Sequence, residues 1–299
     1  MDKIFTRPFQ DMEKISFFRT ILYAFLLFNA LSLLPIVGDI YAYYGLVGTK
    51  GWNTDVPLLK QGTKMFINIL SHPANSIYQW VYVIFVVGQI VFLILGLFNI
   101  WPRVSAVLIY LFTVNLHMKG YLAFTGGEVL INNVLFYLMF IHHPRDDSWF
   151  GDFQNILNNT FYYILLFQVC ILYLFSGLFK LYDDAWISGH AIQYISRLSI
   201  FESPFTAVFQ DNYLLSAIAG YSALAYQLLF PFVVWVKRVK IPFLIFGVIF
   251  HLGIAIGMGI FTFGMIMIVV YILFLDTDQI RGIKQRFRKR NRSTQIASP

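Results

Sequence analysis

Apolar runs long enough to cross a bilayer, cut by short clusters of glycine, proline and charge, make up most of this chain. About 20 apolar residues suffice for a membrane-spanning helix. That measure places spans at residues 16–37, 77–98, 104–119, 128–141, 161–182 and 213–236. The stretch 241–275 carries no formal charge over 35 residues, too many for one crossing, and splits at Gly257, Gly259 and Gly264 into a seventh and an eighth span. The third and fourth are short and form a hairpin about Thr125, Gly126 and Gly127, so both are expected to tilt or to stop short of full thickness. Three connections are longer: a glycine- and proline-rich one at 38–75 containing Trp52, a polar one at 142–159, and a partly amphipathic one at 183–212.

Composition agrees with the pattern. Of 299 residues 58% are hydrophobic and 12% charged, about half the charged share of a soluble domain, and the 32 Phe and 18 Tyr suit lipid-facing helices with aromatic belts. The fold expected is all-α: a polytopic helix bundle of about eight spans, its transmembrane domain at 1–275 and a basic cytoplasmic tail at 276–299. With both termini placed in the cytoplasm, 16 of the 22 Lys and Arg fall on that side, as the positive-inside rule requires. Seven of them lie between Arg281 and Arg292, where they read as a stop signal and anionic-lipid contact rather than a nucleic-acid surface. No cleavable signal peptide is expected, because the first apolar run is long enough to remain as a span. Cys170, the single cysteine, excludes an internal disulfide and reads as a packing residue.

The candidate chemistry lies where charge meets apolar helix. In LFSGLFKLYDDAWISG (174–189), Lys180 sits at the end of the fifth span. It either bends its stem towards water or presents its amine to a site. Tyr173, Ser176 and Gly177 share its helix face, and Asp183, Asp184 and Trp186 follow as carboxylate partners and an interfacial ring. Asn115 and Lys119 are four apart on the third span, as are Glu128 and Asn132 on the fourth, and the hairpin would gather them as a pocket or as a structural Lys119–Glu128 salt bridge. His117, about 200° around the helix from Asn115, is left outside that group. His251 lies deep in the seventh span, as a packing residue or a proton-handling one. His142 and His143 with Asp146 and Asp147 fit no standard metal spacing, so no metal site is expected. No nucleotide-binding, hydrolase or metalloprotease motif is present, and no nucleic-acid partner is expected.

Three segments, FSGLFKLYDDAWISGHAIQY, GGEVLINN and FHLGIAIGMGIFTFGMIMI, occur in the order found in the HTTM family, the horizontally transferred transmembrane domain. The chain resembles that family, which includes the membrane part of vitamin K-dependent gamma-glutamyl carboxylase. The resemblance implies a multi-pass protein of a bacterial inner membrane, with a reduced quinone, vitamin K hydroquinone or menaquinol, as cofactor, and carboxylase or oxygenase chemistry at the outer face. It casts Lys180 as the base towards the quinol, with His251 and Asn133 binding or polarising it. Asn132, Glu128, Lys119, Tyr173 and Trp186 would shape the same cavity. Phe179 and Val134 depart from the carboxylase pattern, which has lysine and histidine there. A counterpart of the carboxylase's large extramembrane region is not expected. The implied partners are therefore the lipid bilayer and a peptide or protein substrate or a separately encoded extramembrane protein. Family members also resemble a membrane protein that matures and exports a sporulation-delaying peptide toxin, which implies a non-catalytic alternative.

Overall fold

The computed structural model describes residues 5, 7–41, 46, 77–120, 125–144 and 149–296. The expectations about Trp52 and its glycine-rich connection, and about Asp146 and Asp147, lie outside these residues. The chain divides into two compact units, Met1–Phe18 with Asp146–Pro299, and Arg19–Arg145. The expected all-helical membrane bundle is what forms, with no strand among the described residues.

In the second unit, helix α1 (Met12–Leu33), most of which lies here, runs through a 3-10 turn into the short α2 (Val37–Tyr41), followed by α3 (Ile77–Leu97), α4 (Pro102–Lys119) and α5 (Gly126–Leu138). Val37 and Tyr41 of α2, Tyr82 and Val86 of α3 and Leu116 of α4 form one buried cluster. Within the apolar contact between α3 and α4, the amide of Gln89 donates to Thr113 Oγ1 at 2.8 Å, so neither polar group is left unsatisfied in hydrocarbon. The turn before α4 places Trp101 in the left-handed region (φ 44°), and Pro102 then starts the helix. Thr125 and Glu128 close the start of α5 with reciprocal side-chain and backbone bonds. At its other end the Arg19 guanidinium donates to the carbonyls of Leu138 and Ile141, where a cation suits the helix dipole.

The first unit is built on α6 (Trp149–Lys180), 32 residues long. Three short helices follow, α7 (Asp184–Ile187), α8 (Ala191–Ser196) and α9 (Pro204–Ala207). Then come α10 (Tyr213–Val233) and α11 (Lys240–Leu252), a π-helical turn at Gly253–Gly257, α12 (Phe261–Val269) with its 3-10 extension Val270–Phe274, and α13 (Thr277–Ile296). Close packing of α10 on α6 depends on Gly177, because a Cβ there would lie 2.8 Å from Leu228. The N-terminal segment belongs to this unit: Lys14 pairs with Asp11 and donates to Tyr162, while Glu13 takes Arg281 and Lys284 of α13.

One expectation changes. Residues 149–159, read as part of a polar connection, are the first three turns of α6. Gly151, Gln154, Asn158 and Tyr162 continue the buried stripe that Leu165, Val169 and Tyr173 carry onward. The polarity that suggested a loop is turned inwards and paired, with Gln154 donating to Asn158 at 2.9 Å and Asn159 to the carbonyls of Phe5 and Arg7 at 3.0 and 2.8 Å. Among the described residues five helices have the length and apolarity to cross a membrane: Met12–Tyr41, Trp80–Leu97, Trp149–Lys180, Tyr213–Val233 and Lys240–Gly257. A sixth is reached if Phe261–Phe274 and Thr277–Arg286, bent by 116°, count as one. Of the eight spans expected, α5 has only 13 residues, and α4 carries Arg103, Asn115, His117 and Lys119 in its 18.

Candidate functional site

Lys180 is the last residue of α6, and its amine is held locally. Nζ donates to the hydroxyl of Ser176 at 3.1 Å and to its carbonyl at 3.2 Å, the i−4 position that one helical turn brings beneath it. The ammonium also lies 4.9 Å from the centre of the Trp186 ring, within cation–π range. The carboxylates expected as its partners are used otherwise: Asp183 caps α7 by accepting from the Ala185 amide at 2.8 Å. Among the described residues no carboxylate forms an ion pair with Lys180. The result is a partly buried cation with hydroxyl, carbonyl and indole for company.

Two helical turns before Lys180, Tyr173 points inwards and joins a hydrogen-bonded chain across four helical elements. Its hydroxyl lies 2.7 Å from Nε2 of His251 on α11 and 2.7 Å from the hydroxyl of Tyr271 after α12. Tyr226 of α10 donates to Tyr271 at 2.8 Å. All four side chains are at most 4% exposed. The rings around them exclude water, with Phe230 stacked on Tyr173 at 4.0 Å and Phe250 and Phe263 against His251. Gly247 permits the arrangement, because a Cβ there would run into both the Tyr226 and the Tyr271 hydroxyls. Nδ1 of His251 is buried and has no partner among the described residues. An unpaired buried polar atom carries a free-energy penalty, so a ligand atom able to meet it would be favoured there.

Sequence reasoning singled out Tyr173 and His251 but missed Tyr226 and Tyr271. The signal available was a tyrosine in the middle of an apolar run, away from the interfacial belts, where a hydroxyl must find a partner. Eighteen tyrosines obscured it.

In the second unit the hairpin group takes another form. His117, set aside on helical angle, has Nδ1 2.8 Å from Oδ1 of Asn132. Asn115 instead donates to Leu111 of its own helix at 2.7 Å. Glu128 Oε2 accepts from the amide and hydroxyl of Thr125, which makes its carboxylate part of the helix cap. Lys119 is fully buried with its amine 5.8 Å from the centre of the Tyr82 ring, and Asn133 is partly buried on α5. Thus Lys180, Tyr173, Trp186 and His251 belong to one unit, and Lys119, Glu128, Asn132 and Asn133 to the other.

The first unit also contains a cavity of about 510 Å³ between α8, α9, α10 and α11, walled by Ile195, Phe205, Phe209, Ile249 and Phe250 among others. Neither Lys180 nor His251 lines it. Two of its three hydroxyls are already engaged, Ser196 with the Gln193 carbonyl and Thr206 with that of Phe201, and the rest of the wall is almost wholly apolar, so the space favours hydrocarbon. No group of three or more potential metal ligands is present among the described residues.

Comparison with curated proteins and with solved structures finds no match. A family model, the HTTM domain, matches residues 63–279. The matched region begins after α1 and takes in both the Lys180 end of α6 and the buried tyrosine–histidine chain, as well as the α4–α5 hairpin. It covers well over half of a chain that is helical, apolar and multi-pass. This membrane protein therefore belongs to the HTTM domain family.

Proposed function

We propose that the protein is a membrane enzyme acting on a lipid-soluble quinol, with Lys180 as the group that accepts its proton. The observation that carries this reading is the amine itself: a lysine at the end of a span, without a carboxylate partner among the described residues, leaning on Ser176 and Trp186. A structural lysine at a bilayer edge would be expected to gain an ion pair or full water contact. A quinol supplies two electrons and two protons to the reaction. The residues here can receive a proton at Nζ of Lys180, offer a hydrogen bond from the His251 imidazole, and keep water from the latter with Phe250 and Phe263. The orphaned Nδ1 of His251 fits an oxygen-bearing ligand. The chemistry coupled to quinol oxidation is of the carboxylase or oxygenase type, on a peptide or protein substrate at the outer face of a bacterial inner membrane.

The test is quinol consumption. Purified protein in liposomes, supplied with menaquinol in air-saturated buffer so that dioxygen serves as electron acceptor, is followed by absorbance beside the Lys180→Ala variant. Loss of a general base lowers the rate about 100-fold or more. If neither protein oxidises menaquinol, the enzymatic reading fails.

One observation favours a second reading, a non-catalytic partner in peptide maturation or export: the apolar cavity of the first unit is separate from both Lys180 and His251. In that case Lys180→Ala would complement a deletion strain as well as wild type does.

A further inference from the structure

The hydroxyl chain bears on which nitrogen of His251 carries the proton. Each tyrosine hydroxyl has one proton to give, and Tyr226 gives its own to Tyr271. If Tyr271 then donates to Tyr173, and Tyr173 to Nε2, every hydroxyl proton has an acceptor and the imidazole proton must sit on Nδ1. One buried group, Nδ1–H, is left unpaired. Put the proton on Nε2 instead and it must donate to Tyr173. Either Tyr173 or Tyr271 then keeps a buried proton with no acceptor, and Nδ1 is left as an empty acceptor besides. Two unsatisfied groups in a dry site are worse than one.

The neighbourhood says what could meet that N–H. Rings of Phe250, Phe263, Tyr173 and Tyr271 surround the imidazole, with centroids 4.9 to 6.1 Å away. A charged ligand would lose its hydration there without a counter-ion, whereas a neutral oxygen would lose little and gain a hydrogen bond. The π-helical turn at Gly253–Gly257 begins two residues after His251, and such turns are frequent at functional sites.

We propose that the hydroxyls of Tyr271 and Tyr173 hold His251 as its Nδ1–H tautomer, and that this N–H is the donor with which the site binds a carbonyl oxygen of an uncharged, lipid-soluble ligand. The identity of the ligand as a quinone rests on the proposed function; the tautomer does not. His251 is then a hydrogen-bond donor and the three tyrosines are positioning residues. Proton acceptance is left to Lys180.

The experiment is 15N NMR of histidine-labelled full-length protein in lipid nanodiscs. The six histidines are sorted by the signals lost in His251→Gln. Wild type should show a single tautomer for His251, Nδ1 protonated and Nε2 not. Tyr173→Phe, which removes the donor to Nε2, should give a mixture of both forms, while Tyr226→Phe removes only the far end of the chain and should keep the wild-type pattern. A proton on Nε2 in the wild type, or a Tyr173→Phe spectrum unchanged from it, overturns the lock. Titration with menadione, an uncharged naphthoquinone, should then shift the Nδ1 resonance. No shift at saturating menadione overturns the donor site. A shift without menaquinol oxidation leaves the donor site standing and refutes the enzymatic reading.

Discussion

Replacing Gly247 by alanine sets two effects of opposite sign against each other. Gly247 lies inside α11, and in an unconstrained helix interior Gly→Ala stabilises by up to about 1 kcal/mol. Here the added methyl would meet the hydroxyls of Tyr226 and Tyr271 and come within 2.6 Å of Cζ of Tyr226. The Tyr226 ring cannot simply retreat: it is 2% exposed, stacked on Phe243 at 4.4 Å and hemmed by Phe230 and Phe246. Overpacking of this kind costs about 1–3 kcal/mol, and parting the two hydroxyls forfeits a buried hydrogen bond worth about 1 kcal/mol. Crowding therefore outweighs helix propensity, and Gly247→Ala should destabilise by about 2 kcal/mol net. In thermal unfolding followed by intrinsic fluorescence, in detergent at one scan rate, that corresponds to a midpoint lower by roughly 3 °C. The cause is checked by a double-mutant cycle. Tyr226→Phe removes the hydroxyl the methyl strikes, so Gly247→Ala should do less harm in that background, with a coupling of about 1 kcal/mol or more. A Gly247→Ala protein that melts higher than wild type would refute the packing argument, and strictly additive effects would refute its assignment to Tyr226.

Two further outcomes test other parts of the chain. Burial of His142, just beyond α5, helped by the nearby Arg19 charge, lowers its pKa to about 4. Because the unfolded chain takes up that proton first, the associated stability is complete above about pH 6.5 and drains away as pH falls towards 4, by about 3 kcal/mol. The thermal midpoint of wild type should thus drop between pH 7.5 and pH 5 more steeply than that of His142→Gln, and parallel slopes would dismiss the buried imidazole as the cause. For sidedness, Asp184→Cys should react with a membrane-impermeant maleimide in intact cells and Lys237→Cys only after permeabilisation, against the low background of a buried Cys170. The opposite pattern would invert the topology drawn from basic residues.

What could be read from the sequence is set by distance along the chain. Spans follow from local hydropathy, and α10 begins and the α11–α12 break falls where composition placed them. The Lys180–Ser176 contact is an i−4 relation and was visible in the spacing. A helical angle, however, says only which way a side chain leaves its own helix. His117 was excluded for facing away from Asn115, yet it faces Asn132 on the next helix, and Glu128 turned to its own N-cap instead of the lysine across the hairpin. Polar residues mislead in the same manner, since Gln154, Asn158 and Asn159 read as loop because their partners are remote or internal to the buried face.

The tyrosine–histidine chain is the extreme of this limit. Its bonds join residues 78, 98 and 45 positions apart, separations that no helical period encodes. Each member is unremarkable where it stands, and even Gly247 reads as one more glycine in an apolar run. Its size restriction comes from hydroxyls on α10 and on the segment after α12, so the constraint exists only once all three elements are packed. That is why a single methyl at position 247 probes the assembled site more sharply than any substitution chosen from sequence pattern: taken alone it would make α11 a better helix, and only what its neighbours require turns it into a loss.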